Sequence, residues 1–219
     1  MNITDYIQNE IQPLRLNNSV KKAKNLFDTF LVTHLAVVEK KVMLGCFSRD
    51  DFESIENDAS ELVQHRHLLN SFFTDEKTSA VALLKIFSEH DTTIVPVLNT
   101  AKEYIGYYEL SDVLEAFCTQ PFLLEKSETL IIENSESTCS MSEIAQIVES
   151  NNGKLLGMFI SKKEQDLVQI TLKISVEDLQ EIMHTCRRYN YTIISMHEND
   201  LYEEDLKSRA DYLQKYLEI

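Results

Sequence analysis

The sequence predicts an α/β (α+β) chain, in which a helix–strand–strand–helix unit occurs twice and is followed by a ferredoxin-like βαββαβ domain and a final helix. Three observations lead there. Residues 19–38 (SVKKAKNLFDTFLVTHLAVV) lie over residues 79–98 (SAVALLKIFSEHDTTIVPVL) without a gap, so that Val20 meets Ala80, Ala23 meets Leu83, Leu26 meets Ile86, Phe27 meets Phe87, Thr33 meets Thr93 and Val37 meets Val97. One extra residue then enters the second copy, after which Gly45 meets Gly106, Asp51 meets Asp112 and Phe52 meets Val113. Beyond residue 118 the pattern changes to strand, helix, strand, strand, helix, strand, and residues 201–219 carry one apolar stripe. A repeated unit this small cannot bury its apolar face alone, so the copies are expected to pack on each other around a cleft that could hold a ligand.

Within the first copy, Ser19 suits an N-cap, and Val20, Ala23, Leu26, Phe27, Phe30 and Leu31 follow at helical spacing. Residues 34–38 and 42–47 are short apolar runs split by Glu39-Lys40-Lys41, a hairpin pattern whose continuous hydrophobicity predicts burial on both faces. Ser48 and Asp51 form an acidic capping box before a second helix. The second copy predicts a helix over 79–89, strands over 94–98 and 104–108, and a helix from Leu110 to about Cys118.

Chemistry concentrates where the second strand of each copy meets its second helix. Gly45 permits close approach of a ligand, Ser48 sits where helix N–H groups would favour phosphate, and Asp51 is placed to accept from paired ribose hydroxyls. The same residues also read as a capping box alone. Gly45-Cys46-Phe47-Ser48-Arg49-Asp50-Asp51 resembles the strand-to-helix motif of cystathionine-β-synthase (CBS) domains: glycine, two mostly apolar residues, Ser or Thr, two variable residues, then Asp or Asn. Gly106-Tyr107-Tyr108-Glu109-Leu110-Ser111-Asp112 is similar, with Glu109 where the hydroxyl belongs, and Ile94-Val95-Pro96-Val97-Leu98 resembles the family's proline-containing strand. The resemblance covers residues 1–118 and implies a tandem CBS pair, or Bateman module, with copies at 1–60 and 61–118. It implies binding of an adenosine-containing ligand such as AMP, ATP or S-adenosylmethionine through Gly45, Ser48, Asp51, Gly106 and Asp112, with occupancy relayed to an attached domain. Glu109 would set a carboxylate beside the phosphate position, so the first copy is the expected site. Asp112 is left for a ribose, in a second site that is weak, empty or suited to an uncharged adenosyl group.

Composition narrows the function classes. With 21 Lys+Arg against 36 Asp+Glu the net charge is −15, which repels phosphate backbones and anionic lipid, so neither nucleic acid nor membrane is an expected partner. An N-terminus bearing Asp5 and Glu10 does not read as a signal peptide, and Cys46, Cys118, Cys139 and Cys186 are scattered, which together predict a cytoplasmic protein with reduced thiols. His65 and His67, two apart, do not predict a metal site. With no phosphate loop and no nucleophile elbow, the chain is expected not to be an enzyme.

Thr119-Gln120-Pro121-Phe122 predicts a break and a linker over 119–128. Residues 130–132 then read as a strand, Ser140-Met141-Ser142-Glu143 as a capping box, and Ile144, Ile147 and Val148 as one helical face. Strands are expected over 154–161 and 167–174, the second alternating at Val168, Ile170, Leu172 and Ile174. Ser175 is the expected cap of a helix bearing Leu179, Ile182, Met183 and Cys186 and closed by Arg187 and Arg188, before a last strand over 191–196. The segment 129–199 resembles an ACT domain, and the order CBS, CBS, ACT is similar to that of bacterial acetoin-utilisation accessory proteins. Its loop over 133–139 lacks the glycine of amino-acid-binding members, which leaves dimerisation as an equal reading. Leu206, Ala210, Leu213 and Leu217, flanked by Tyr202 and Tyr216, predict a C-terminal amphipathic helix over 200–219.

The expectation is a non-catalytic, homodimeric regulator that senses an adenosine ligand and signals to an enzyme partner. The alternative is an adaptor or assembly subunit that uses the same domains for protein–protein interaction without sensing.

Overall fold

A computed structural model describes residues 3–195, so the expected helix over 200–219 and the end of the last strand lie outside the described residues. The chain divides into two compact units, one ending at Thr119 and one beginning at Gln120.

In the first unit the repeat holds down to its irregularities. Helix α1 (Val20–Phe30) starts where Ser19 Oγ accepts from Lys22 N at 3.3 Å, and it buries Val20, Ala23 and Phe27. Leu31 ends it by turning left-handed (φ 54°). Strands β1 (His34–Glu39) and β2 (Val42–Ser48) form an antiparallel hairpin, with Lys40 and Lys41 both at positive φ in the turn. Helix α2 (Arg49–Glu53) follows. The second copy has β3 (Thr74–Asp75), α3 (Ala80–Glu89), β4 (Ile94–Leu98), β5 (Tyr104–Glu109) and α4 (Leu110–Cys118). His34 faces Ser48 as Ile94 faces Glu109, and the register shifts after Val37 as it does after Val97. The β1 run is buried on both faces up to Val38, as its unbroken hydrophobicity predicts, whereas the first half of β2 is not.

The copies differ where local sequence makes them differ. Helix α2 stops at Glu53, because Ser54 Oγ turns back onto Asp51 O (2.8 Å) and Asn57 Oδ1 takes the N–H of Ala59 (3.1 Å). Helix α4 runs on through Val113 and Ala116, which are buried.

Packing couples the copies. One core joins Phe27, Leu35, Phe47 and Phe52 to Ile94 and Tyr107 of the second copy, with the Phe27–Phe52 and Phe47–Phe52 rings 5.7 and 5.0 Å apart. A second core gathers Leu83, Phe87, Val95, Val97, Tyr108 and Val113 around Ile3, so the chain's start packs with the second copy. Gln8 exchanges two backbone hydrogen bonds with Tyr107 (2.8 and 3.0 Å), and Asn70 exchanges two with Cys46 (both 2.8 Å). Leu14 also pairs in parallel with Val37 as Thr74 does with Val97; these added partners are too short to show as apolar runs. Between the copies, Thr33 N donates to Thr93 Oγ1 (3.1 Å) and Thr93 N donates to Thr33 Oγ1 (2.9 Å).

The second unit contains α5 (Pro121–Leu124), β6 (Glu128–Ser135), α6 (Met141–Ser150), β7 (Lys154–Glu164), β8 (Leu167–Ser175), α7 (Gln180–Arg188) and β9 (Thr192–Ile193). Its antiparallel sheet has the order β7-β8-β6-β9, the ferredoxin-like arrangement expected. Val168, Ile170, Leu172 and Ile174 lie under Ile144, Ile147, Ile182 and Met183. The cap at Ser140 forms (Glu143 N to Ser140 Oγ, 3.3 Å), but the Glu143 carboxylate accepts from Tyr191 Oη at 2.9 Å instead of reaching back to the cap.

Three local expectations are corrected. Helix α4 ends at Cys118 as the expected break requires, but inside the expected linker Pro121 begins a short helix, because a proline at the first helical position forfeits no hydrogen bond. Ser175 ends β8 and caps nothing; Asp178 Oδ1 takes the N–H of Gln180 instead (2.9 Å). The last strand is regular over Thr192 and Ile193 alone among the described residues, after which Ile194 N still donates to Ile131 O of β6 at 2.8 Å.

Candidate functional site

The strand-to-helix corner of the first copy brings Ser48 and Asp51 together. Ser48 Oγ donates to Asp51 Oδ2 at 2.6 Å, and Asp51 N donates to Ser48 Oγ at 3.2 Å. Arg49 N is taken by Thr33 O at 2.7 Å, and the Arg49 guanidinium pairs with Asp28. Helix α2 has five residues, and the N–H groups of Arg49 and Asp51 at its start already bond to the protein, which leaves fewer donors for the phosphate expected there. Asp51 is half-buried, and its second oxygen takes no hydrogen bond among the described residues, so the carboxylate keeps one side open to a hydroxyl.

Neither motif glycine faces open space. A Cβ at Gly45 (φ 149°) would sit 2.9 Å from Asn70 O, and one at Gly106 (φ 152°) would sit 2.5 Å from Gln8 O. The close approach expected of a ligand is made by the chain itself, through the segments that cross over from before each copy. At the second corner Asp112 accepts from Gln8 Nε2 at 3.1 Å. Glu109 makes no side-chain cap to α4 and accepts from Ser111 Oγ at 2.8 Å. The second site thus holds two carboxylates and a glutamine already bound to one of them.

The structure adds three residues that sequence reasoning did not bring to this site. His34 opens β1 where the second copy has Ile94, and it is 8% exposed with Nδ1 3.1 Å from Thr33 Oγ1. The Phe72 ring stands edge-on to His34 at 5.3 Å, and His90, at the end of α3, stacks on its face at 4.4 Å and 15°. A histidine at the head of an otherwise apolar run was the one signal in the sequence.

Burial, and then the neighbouring His90, push His34 below the ordinary imidazole value, against the pull of Asp51, Asp50 and Asp91. A lowered native pKa means that the folded chain binds fewer protons than the unfolded one. This share of stability is whole above about pH 6.5 and is lost as pH falls below that value. Thermal melts between pH 7.5 and about 5 should therefore fall more steeply for the wild type than for His34→Gln. Equal slopes would remove His34 from the account.

Two cavities of about 290 Å³ flank the helix pairs, one lined by Phe27, Asp28, Arg49 and Phe52, the other by Thr33, Phe87, Asp91 and Thr93. Neither is lined by Ser48 or Asp51. In the second unit, the loop expected to bear on amino-acid binding is closed on itself: Ser135 Oγ donates to Asp166 (2.7 Å) and Thr138 Oγ1 to Asn134 Oδ1 (3.1 Å). A larger groove of about 900 Å³ there is lined by Lys126, Asn151, Ser175, Glu177, Asp178 and Glu181. Among the described residues no helix is long and apolar enough to cross a membrane.

Residues 65–118 match the CBS domain family. They comprise the second copy, and the first repeats its hairpin register. The chain is similar to a CBS domain pair/ACT domain protein from Thermotoga maritima (18% identity over 53% of this chain and 96% of that one, TM-score 0.48). It is similar also to the CBS domains of a transcriptional regulator from Streptococcus pneumoniae (18% identity, 52% and 98%, TM-score 0.46). A third similar structure is CBSX2 in complex with AMP (18% identity, 53% and 95%, TM-score 0.44). No curated protein sequence matches the chain.

Proposed function

We propose that this protein is a non-catalytic cytoplasmic regulator whose tandem CBS pair binds an adenosine-containing ligand at the first copy. Of the AMP, ATP and S-adenosylmethionine class, the adenosine part is what the site is equipped to recognise, through its ribose. The observation that carries the reading is Asp51, a half-buried carboxylate held on one oxygen by Ser48 and open on the other. The match of residues 65–118 to the CBS domain supports it. The second unit would serve as an ACT-like dimerisation module, making the protein a homodimer that signals to an enzyme partner. Ligand occupancy shifts the balance only to the extent that it favours one arrangement of the copies.

A second reading is favoured by a separate observation. Both motif glycines and Asp112 are engaged by the chain's own crossover segments, as they would be in an adaptor whose CBS pair presents a surface and senses nothing. Thermal melts with AMP, ADP, ATP, NAD and S-adenosylmethionine separate the two. At about a hundred times its dissociation constant a bound ligand adds about 2.7 kcal/mol of stability. Asp51→Ala should abolish that shift and Asp112→Ala should leave most of it. No shift from any member at millimolar concentration would favour the adaptor.

A further inference from the structure

Residues 70–75 run as an extended strap from β2 of the first copy to β4 of the second, anchored by Asn70 on Cys46 and by Thr74 on Val97. Burial alternates along it: Ser71, Phe73 and Asp75 are exposed, whereas Phe72 and Thr74 are buried. Phe72, 5% exposed, clusters with Ala36, Val38 and Cys46, and Ile86 and Tyr104 of the second copy pack against that cluster. Its ring lies between two imidazoles, edge-on to His34 and face-on to His90. His34 is also the register partner of Ser48, and its imidazole lies within the field of Asp51.

A nucleoside anchored on Asp51 by its ribose must lay its base on apolar surface within one sugar's reach. The apolar surface beside His34 is that of Ala36, Val38 and Cys46, and Phe72 covers it. A flat aromatic ring stacked on His90 is also the contact a purine would make there. We propose that Phe72 is a built-in plug of the base slot, so that a nucleoside enters the first-copy site only by displacing this ring from between His34 and His90. The second copy is held in a parallel way, since Gln8, on the other crossover segment, occupies Asp112. The chain would thus keep both sites filled with its own residues, and ligand would compete with the strap. That competition gives occupancy a mechanical output, because displacing Phe72 loosens a segment that joins the two copies.

The inference rests on reading Asp51 as the ribose anchor, and one titration series tests both. Apparent affinity is the intrinsic affinity reduced by the fraction of chains whose site is open. Calorimetric titration of AMP into Phe72→Ala should give a dissociation constant lower than wild type by about tenfold or more. Phe72→Leu, which keeps an apolar side chain in place, should tighten binding less. In the wild type, saturating AMP should move the imidazole ring-proton resonances of both His34 and His90 as Phe72 withdraws, a readout that holds even if the alanine variant fails to fold. Unchanged or weaker AMP binding in Phe72→Ala, or imidazole signals that do not move at saturation, would overturn the plug. If Asp51→Ala still abolished binding in that case, the ribose reading would survive. No AMP binding by the wild type or by Phe72→Ala would overturn both.

Discussion

Gly106→Ala is expected to destabilise the first unit by about 3 kcal/mol or more, the sum of backbone strain and overpacking that each cost about 1–3 kcal/mol. Gly106 has φ 152°, which side chains with a Cβ rarely adopt. A methyl group there would meet Gln8 O at 2.5 Å, Ile7 Cγ2 at 2.7 Å and Asn9 Oδ1 at 2.9 Å. Two of these three atoms are side-chain atoms that could shift, but Gln8 O is backbone and is held by its hydrogen bond from Tyr107. The start of the chain would have to leave the second copy, taking Ile3 out of the core it shares with Leu83 and Phe87. Gly45→Ala should cost less, because its nearest contact is longer, 2.9 Å to Asn70 O. Urea denaturation followed by circular dichroism measures both; equal losses would show that the N-terminal segment is not the constraint at Gly106.

The seam between the copies gives the second large effect. Each of Thr33 and Thr93 uses its hydroxyl to satisfy the other's backbone N–H (3.1 and 2.9 Å), and Thr33 O and Thr93 O also take the first N–H of α2 and of α4. Thr33→Val keeps the shape and strands the half-buried N–H of Thr93, at a cost of about 1 kcal/mol, the lower end of the range for an unpaired donor. Thr93→Val does the reverse. Because both substitutions break one reciprocal arrangement, the double variant should be less destabilised than the sum of the singles. A double-mutant cycle would show that coupling directly. Strict additivity would mean that the threonines act separately and that the copies are held by their cores alone.

How far these features could be read beforehand follows from their range along the chain. Caps at Ser19, Ser48 and Ser140 were legible because a cap involves residues three apart. The ferredoxin-like order was legible because alternation at Val168, Ile170, Leu172 and Ile174 is a one-sided sheet pattern. Ser175 misled, since Asp178 stands nearer the helix start and accepts from Gln180 instead. The candidate site was half legible. Ser48 and Asp51 pair as their spacing suggests, but the roles of Gly45 and Gly106 depend on Asn70 and Gln8, which no local pattern connects to them. Phe72 was invisible for the same reason: its partners His34 and His90 come from different copies, and an isolated Phe-Phe pair in a connecting segment has no periodicity to read.

On the proposed reading, one nucleoside is held by its sugar at the first copy, by the carboxylate of Asp51. Isothermal titration with AMP on the full chain tests this most directly, because it counts sites as well as measuring affinity. One AMP per chain is expected, retained in Asp112→Ala and lost in Asp51→Ala. Two equivalent sites per chain, or a wild-type isotherm preserved in Asp51→Ala, would contradict it.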